Sequence, residues 1–161
     1  VTVPVGEDIG FLPGTEEEKM MPWMGALEDN LDVLNMGEGD GNTGNSNEWG
    51  RAATMDLIRS RIKIKSLNFM RGRTFLNKFL IIDEAQNLTP KQMRTLITRA
   101  GPGTKVICLG NIAQIDTPYL TEGSSGLTFV VDRFKGWPHA GHITLQRGER
   151  SRLADYAGEA L

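Results

Sequence analysis

The apolar residues of the chain follow two kinds of pattern, and both indicate strands separated by helices. Residues 79–82 and 106–109 are unbroken apolar runs, which are typical of strands covered on both faces in a parallel sheet. Residues 62–65 alternate apolar and basic side chains, as a half-buried strand does, and residues 143–145 are predicted to form a further strand. Helical patterns occupy 15–34, 52–60, 89–100, 124–134 and 151–161. This order predicts an α/β fold with a mainly parallel sheet and flanking helices.

Capping residues mark where two of these helices begin. Thr15 stands three residues before Glu18, which is the spacing of a capping box. Thr89 and Pro90 supply a helix cap and a first helical residue. Residues 37–50 are rich in glycine and polar side chains, so we expect a mobile polar loop there.

Composition excludes several classes of protein. The 161 residues include 39% hydrophobic and 24% charged side chains, which suits one domain with its own core. The single cysteine, Cys108, excludes a disulfide framework and a zinc site built on several thiolates. Because the sequence contains neither an apolar run of membrane-spanning length nor an apolar leader, we expect a cytoplasmic protein that does not bind membranes.

Charge is unevenly distributed along the chain, although the net charge is only −2. Residues 1–50 carry 1 basic and 11 acidic side chains, whereas residues 51–105 carry 12 basic and 3 acidic ones. Residues 106–161 are nearly balanced, with 5 basic and 6 acidic side chains. The basic middle third suits a surface for nucleic-acid phosphates, and it equally suits a solvated surface that faces the acidic third.

Two adjacent acids, Asp83 and Glu84, directly follow the apolar run 79–82. Open α/β sheets bind ligands at the carboxyl ends of their strands. In nucleoside-triphosphate hydrolysis one such acid holds Mg²⁺, and a second orients and deprotonates the attacking water. Successive side chains of an extended segment point in opposite directions, so neighbouring acids can divide this work. The alternative is a pair of acids that complements the N-terminus of a helix.

Four motifs occur in the chain in a recognisable order: 6–14 (GEDIGFLPG), 71–75 (RGRTF), 83–87 (DEAQN) and 110–116 (GNIAQID). Together they resemble the PhoH family of P-loop ATPases, and most closely the branch whose members carry a PIN-type ribonuclease domain ahead of the ATPase. The resemblance covers nearly all of the chain except 37–50. It implies a RecA- or helicase-like P-loop NTPase core that binds and hydrolyses ATP with Mg²⁺, an activity on RNA, and ring-like homo-oligomers.

The resemblance also implies roles for residues of the 83–87 motif. Asp83 would hold Mg²⁺, and Glu84 would be the catalytic base. Gln86 would couple the nucleotide site to its surroundings.

A second set of roles is implied for the segment after residues 106–109. Gly110, Asn111 and Gln114 resemble the helicase Gly-Asp-x-x-Gln motif that senses the γ-phosphate, with Asn111 in place of the more usual aspartate. The alternative for Asn111 and Gln114 is a turn stabilised by side-chain hydrogen bonds.

Arginines complete the candidate residues. Arg150 matches a helicase arginine that touches the γ-phosphate, where a guanidinium would stabilise charge on the transferring phosphoryl group. Arg147 and Arg152 are close enough in sequence to compete for that role, and a solvated helix start is the alternative. Arg71 and Arg73 suit either contact with RNA or a neighbouring subunit's nucleotide, or a plain surface turn.

The family's phosphate-binding loop, G-x-x-x-x-G-K-[ST], does not occur in the 161 residues. That loop cradles the phosphates with its backbone N–H groups. We therefore expect residues 1–161 to be the C-terminal part of an ATPase domain, with the phosphate-binding loop and a PIN-type domain upstream of it. We also expect this part to be inactive alone. The competing hypothesis is a non-catalytic module that binds nucleic acid or protein through the basic segment 51–105.

Overall fold

The computed structural model describes residues 24–25, 29–30, 56, 60–65, 67–70, 72–146, 148 and 151–160. The chain divides into two units, residues 1–130 and 131–161. The described elements, in chain order, are a 3₁₀ turn (Leu67–Met70), strand β1 (Phe79–Ile82), a 3₁₀ turn (Ala85–Asn87), helix α1 (Pro90–Ile97), strand β2 (Lys105–Cys108), helix α2 (Gly126–Phe134) and helix α3 (Arg152–Ala160).

The two strands form a parallel pair, as the sequence predicts. Their register runs from Phe79 opposite Lys105 to Ile82 opposite Cys108. A parallel bridge joins Phe75, which precedes β1, to Ala100, which precedes β2. Because α1 connects β1 to β2, this part of the chain is a strand–helix–strand unit, and the carboxyl ends of both strands meet at one edge of the sheet.

The core lies between one face of β1 and the inner face of α1. Leu80 and Ile82 point into it from the strand, and Met93 and Leu96 from the helix. Phe79, on the other face of β1, is 72% exposed. The prediction that this strand is covered on both faces is therefore wrong for the described residues, which cover only the face of Leu80 and Ile82. The buried core residues are Met70, Leu80, Ile82, Ala85, Leu88, Met93 and Leu96.

Helix α1 begins at the capping residues that the sequence predicts. Thr89 Oγ1 accepts a hydrogen bond from the backbone N–H of Gln92 (3.2 Å), and Gln92 Oε1 accepts from the backbone N–H of Thr89 (2.9 Å). Pro90 occupies the first helical position, where its missing N–H leaves no hydrogen bond unmade. A cap of this kind stabilises a helix by about 1 kcal/mol, so the start of α1 is fixed locally.

Two predicted strands are absent from the described structure. Residues 62–65 and 143–145 form no strand, and Ile143 and Leu145 are each 84% exposed. A local apolar pattern forms a strand only where a partner supplies the ladder of hydrogen bonds, and among the described residues the sheet consists of β1 and β2.

The predicted elements ahead of residue 62 are only partly covered by the described residues. Residues 24–25 and 29–30 are helical, in agreement with the helix predicted over 15–34. Residues 56, 60 and 61 are helical, close to the predicted 52–60. The loop predicted at 37–50 lies outside the described residues.

The second unit, residues 131–161, contains the end of α2 and all of α3. The Trp137 ring meets Phe134 edge-on at 5.7 Å between centroids, and it meets the His139 ring at 5.2 Å. Lys135 Nζ lies 3.1 Å from Asp132 Oδ1 in an exposed ion pair. Across the described parts of the chain, every helix is too short or too polar to cross a membrane.

Cys108, the last residue of β2, provides a pH-dependent test of the sheet. The thiol packs against the core, and burial raises the pKa of Cys108 above its ordinary value of 9.0. The folded protein thus holds this proton more tightly than the unfolded chain does, so the stabilisation is complete below pH 9.0 and is lost as the pH rises above it.

We expect the free energy of unfolding of the wild type to fall, relative to Cys108→Ala, as the pH rises above 9.0. Chemical denaturation at a series of pH values measures both proteins. Parallel pH dependence of the two would show that the thiol is not buried in this way.

Candidate functional site

The two acids stand at a sharp turn that follows β1. Glu84 adopts the left-handed conformation, with φ 51° and ψ 38°, which costs a non-glycine residue about 1–2 kcal/mol. Asp83 Oδ1 accepts a hydrogen bond from the backbone N–H of Glu84 at 3.0 Å. Both side chains are exposed. The acids are thus separated by a left-handed turn and not, as the sequence suggested, by the pleat of an extended strand.

The helix-capping alternative does not describe the side chain of Glu84. Glu84 is the residue before the 3₁₀ turn Ala85–Asn87, but its side chain makes no capping hydrogen bond. Its carboxylate instead accepts a hydrogen bond from Gln86 Nε2, with Oε2 at 2.6 Å. A charge-assisted hydrogen bond therefore holds the Glu84 carboxylate in place.

Gln86 joins three parts of the site. The residue is fully buried, and besides Glu84 its Nε2 contacts the backbone carbonyl of Gln114 at 3.0 Å. Gln86 Oε1 accepts a hydrogen bond from the backbone N–H of Asn111 at 3.2 Å. One carboxamide thus connects the catalytic-base candidate Glu84 with both polar residues of the predicted sensor segment.

Gly110 is required by the close approach of Gln86. A Cβ atom at position 110 would lie 2.5 Å from Gln86 Oε1, 2.9 Å from Leu127 Cδ2 and 3.1 Å from the Gln86 backbone nitrogen. A side chain at Gly110 and the present position of Gln86 therefore exclude each other.

Asn111 itself stabilises the turn that follows it. Its Oδ1 accepts a hydrogen bond from the backbone N–H of Ala113 (3.1 Å), and its carbonyl accepts from that of Gln114 (3.0 Å). This is the turn that the sequence left open as an alternative for Asn111. The Gln114 side chain is exposed and lines the pocket described next.

An open pocket of about 540 Å³ lies beside these residues. It is lined by two carboxylates and no cation among the described residues, so a phosphate group could occupy it only together with a cation supplied by another part of the site or by a metal. The lining residues are Glu84, Asn87, Ala113, Gln114, Ile115 and Asp116.

Asp83 does not line this pocket, but it suits a magnesium ligand. Mg²⁺ keeps several water molecules and is bound by one or two carboxylates together with substrate phosphates. Asp83 is an exposed carboxylate at the carboxyl end of β1, which fits that coordination. No group of three or more His, Cys, Asp or Glu side chains gathers among the described residues, so a dedicated protein cage for a metal is not found in that part of the chain.

None of the candidate arginines is seen to contact this site among the described residues. Arg71, Arg147 and Arg150 lie outside the described residues. Arg152 is exposed at the start of α3, and Arg73 is exposed ahead of β1. Their contact with phosphate stays a prediction.

Sequence reasoning missed two buried residues of the site. Ser125 caps α2 by accepting a hydrogen bond from the backbone N–H of Leu127 (3.3 Å), and its Oγ donates to the carbonyl of Gln86 (2.8 Å). Asn87 lines the pocket and contacts Asp116 and Thr117. A serine before a helix does indicate a cap, but no pattern in the sequence indicates that the cap also reaches a turn thirty-nine residues away.

The sequence pattern of the family described as "PhoH-like protein" matches residues 1–157. The chain belongs to the PhoH-like protein family. The protein PhoH2 of Bacillus subtilis is 44% identical over 159 residues, which are 99% of this chain and 34% of that protein. PhoH2 of Mycolicibacterium smegmatis is 36% identical over 97% of this chain and 32% of its own length. A PhoH-like protein of Bacillus subtilis is 41% identical over 83% of this chain and 37% of its own. The chain thus spans about a third of the length of these relatives.

Replacing Gly110 tests the arrangement around Gln86 in this PhoH-like protein. In Gly110→Ala the new Cβ displaces the Gln86 side chain, so we expect its carboxamide protons to exchange with water much faster than in the wild type. The free energy of unfolding should fall by about 1–3 kcal/mol because the substitution overpacks a buried contact. NMR exchange of the Gln86 side-chain amide and chemical denaturation measure the two effects.

Gly123→Ala is the matched control, because a Cβ at Gly123 meets no atom within 4 Å. Unchanged exchange of the Gln86 amide in Gly110→Ala would mean that the carboxamide is not held beside Gly110.

Proposed function

We propose that this chain is the part of an ATP-hydrolysing PhoH-like protein that supplies the acids and the γ-phosphate sensor. The observation that carries the proposal is the buried carboxamide of Gln86, which contacts Glu84 on one side and the segment of Asn111 and Gln114 on the other. A base and a phosphate sensor act on the same group of the substrate, so a fixed connection between them suits hydrolysis of a terminal phosphate.

Each candidate residue has a separate task in this proposal. Glu84 orients the attacking water and takes up its proton, and its carboxylate is held for this by Gln86. Gln114 reaches the terminal phosphate from the pocket wall. Asp83 holds Mg²⁺, which neutralises charge on the phosphates when bound. Arg150 stabilises charge on the transferring group.

The phosphate-binding loop comes from outside the 161 residues in this proposal. The pattern G-x-x-x-x-G-K-[ST] does not occur in the sequence, and the lining of the described pocket contains no cation. Backbone N–H groups and a lysine are what hold the phosphates in P-loop proteins. We therefore propose that the chain alone does not turn over ATP.

We further propose that hydrolysis is coupled to unwinding or processing of RNA, in a homo-oligomer whose subunits also carry a PIN-type domain. The support is the resemblance of the motifs together with the basic composition of residues 51–105. Helix α1 fits this composition, since its exposed charged residues, Lys91 and Arg94, are both basic.

A chimera provides the test of ATP hydrolysis. This chain replaces the matching 159-residue region of Bacillus subtilis PhoH2, and magnesium-dependent phosphate release is measured for the chimera, for the unaltered relative and for the chain alone. We expect hydrolysis by the chimera and none by the chain alone. Glu84→Gln should lower the rate of the chimera by at least about 100-fold, because the base is lost while the shape is kept.

Glu122→Gln is the matched control, since Glu122 is an exposed glutamate that does not line the pocket. It should leave the rate unchanged. Equal rates for Glu84→Gln and Glu122→Gln would exclude Glu84 as the base. An inactive chimera beside an active relative would favour the non-catalytic module.

A further inference from the structure

Two consecutive buried residues, Gln86 and Asn87, hold the two ends of one segment, residues 111–117. Gln86 contacts the beginning of the segment, through the backbone of Asn111 and Gln114. Asn87 contacts its end: Asn87 Oδ1 accepts hydrogen bonds from the backbone N–H groups of Asp116 (2.8 Å) and Thr117 (3.3 Å). Residues 111–117 are thus hydrogen-bonded, near both ends of the segment, to the 3₁₀ turn that follows the acids.

A third hydrogen bond strengthens the contact of Asn87. Thr117 Oγ1 donates to the backbone carbonyl of Asn87 at 2.8 Å. Asn87 is only 2% exposed, and Thr117 is half-buried, so water has little access to these bonds. Hydrogen bonds shielded in this way are stronger than exposed ones, and breaking them leaves buried groups unpaired.

The unpaired nitrogen of the Asn87 side chain shows that its oxygen is the atom that matters. Asn87 Nδ2 is buried and has no hydrogen-bond partner among the described residues. A leucine would fill the same space without burying an unpaired donor, so packing alone does not account for an amide at this position. The side-chain oxygen accounts for the amide, because without it the backbone N–H groups of Asp116 and Thr117 would lose their acceptor.

We propose that Asn87 is a positioning residue, which fixes the wall of the pocket formed by residues 113–116 beside Glu84. Asn87, Gln114 and Asp116 all line this pocket. The claim about the catalytic consequence rests on the proposed hydrolysis, in which Gln114 must stay within reach of the phosphate on which Glu84 acts. The position of the wall itself depends only on the contacts of Asn87.

Hydrogen exchange in the 161-residue chain tests the position of this wall. In Asn87→Leu the acceptor is lost, and we expect the amide protons of Asp116 and Thr117 to exchange at least about tenfold faster. In Asn87→Asp the acceptor oxygen is kept while a buried charge is added, so these two amides should stay protected relative to their neighbours even where the whole chain is destabilised. A side chain that merely fills space predicts no difference confined to these two amides. Unchanged protection in Asn87→Leu overturns the proposal.

Substitutions of Thr117 test the catalytic consequence in the chimera, where they introduce no new charge near Glu84. Thr117→Val deletes the hydroxyl that donates to Asn87 while keeping the shape. We expect its kcat to fall about tenfold with KM for ATP changed less than about threefold, because the wall is displaced at the chemical step. Thr117→Ser retains the hydroxyl and should recover most of the rate.

The outcomes separate the two proposals. An unchanged kcat in Thr117→Val, in a chimera whose hydrolysis requires Glu84, overturns the positioning role. A chimera without hydrolysis contradicts the proposed function, and the exchange comparison of Asn87→Leu with Asn87→Asp still decides whether Asn87 fixes the wall.

Discussion

The arrangement of the site depends on one buried carboxamide, that of Gln86. Its two N–H groups reach Glu84 Oε2 and the Gln114 carbonyl, and its oxygen receives the Asn111 N–H. A buried amide is costly unless its donors and its acceptor are paired, so these three contacts hold one another in place. The orientation of the amide is fixed by the same contacts, since only the nitrogen can donate to a carboxylate and a carbonyl. Glu84 therefore has a defined position although its side chain is exposed.

The register of the sheet brings the partners of Gln86 within its reach. With Ile82 opposite Cys108, the turns after β1 and β2 begin at the same level. Backbone hydrogen bonds continue past the strands, because the Ala85 N–H donates to the Leu109 carbonyl at 2.8 Å. Gly110 follows at once, and its lack of a side chain lets Gln86 approach. A slip of the register by one residue would turn the core side chains Leu80 and Ile82 to the other face, so the same apolar contacts that stabilise the sheet also align the site.

The local features of this fold were predictable from the sequence, and the non-local ones were not. The bounds of β1 and the cap of α1 depend on neighbours in the chain, such as Thr89 and Gln92, and the prediction of both is confirmed. The strand predicted at 143–145 does not form, because a local apolar pattern does not specify a partner strand. Asp83 and Glu84 were found from their place after an apolar run, whereas Asn87 and Ser125 act on residues about thirty and forty positions away. Such contacts depend on which turns come together when the chain folds, and the spacing of residue types along the sequence does not contain that information.

The conformation of Glu84 explains how adjacent acids acquire different surroundings. On a regular strand, Asp83 and Glu84 would point to opposite faces, and one of them would face the core beside Ile82. The left-handed turn at Glu84 avoids this, because both carboxylates stay exposed while the chain reverses into Ala85–Asn87. The energetic cost of that turn is offset by contacts that exist only in this conformation: the Asp83 Oδ1 bond to the Glu84 N–H and the Gln86 bond to the Glu84 carboxylate. The left-handed turn at Glu84 and the burial of Gln86 thus act together: they leave the Asp83 carboxylate exposed and hold the Glu84 carboxylate against an amide.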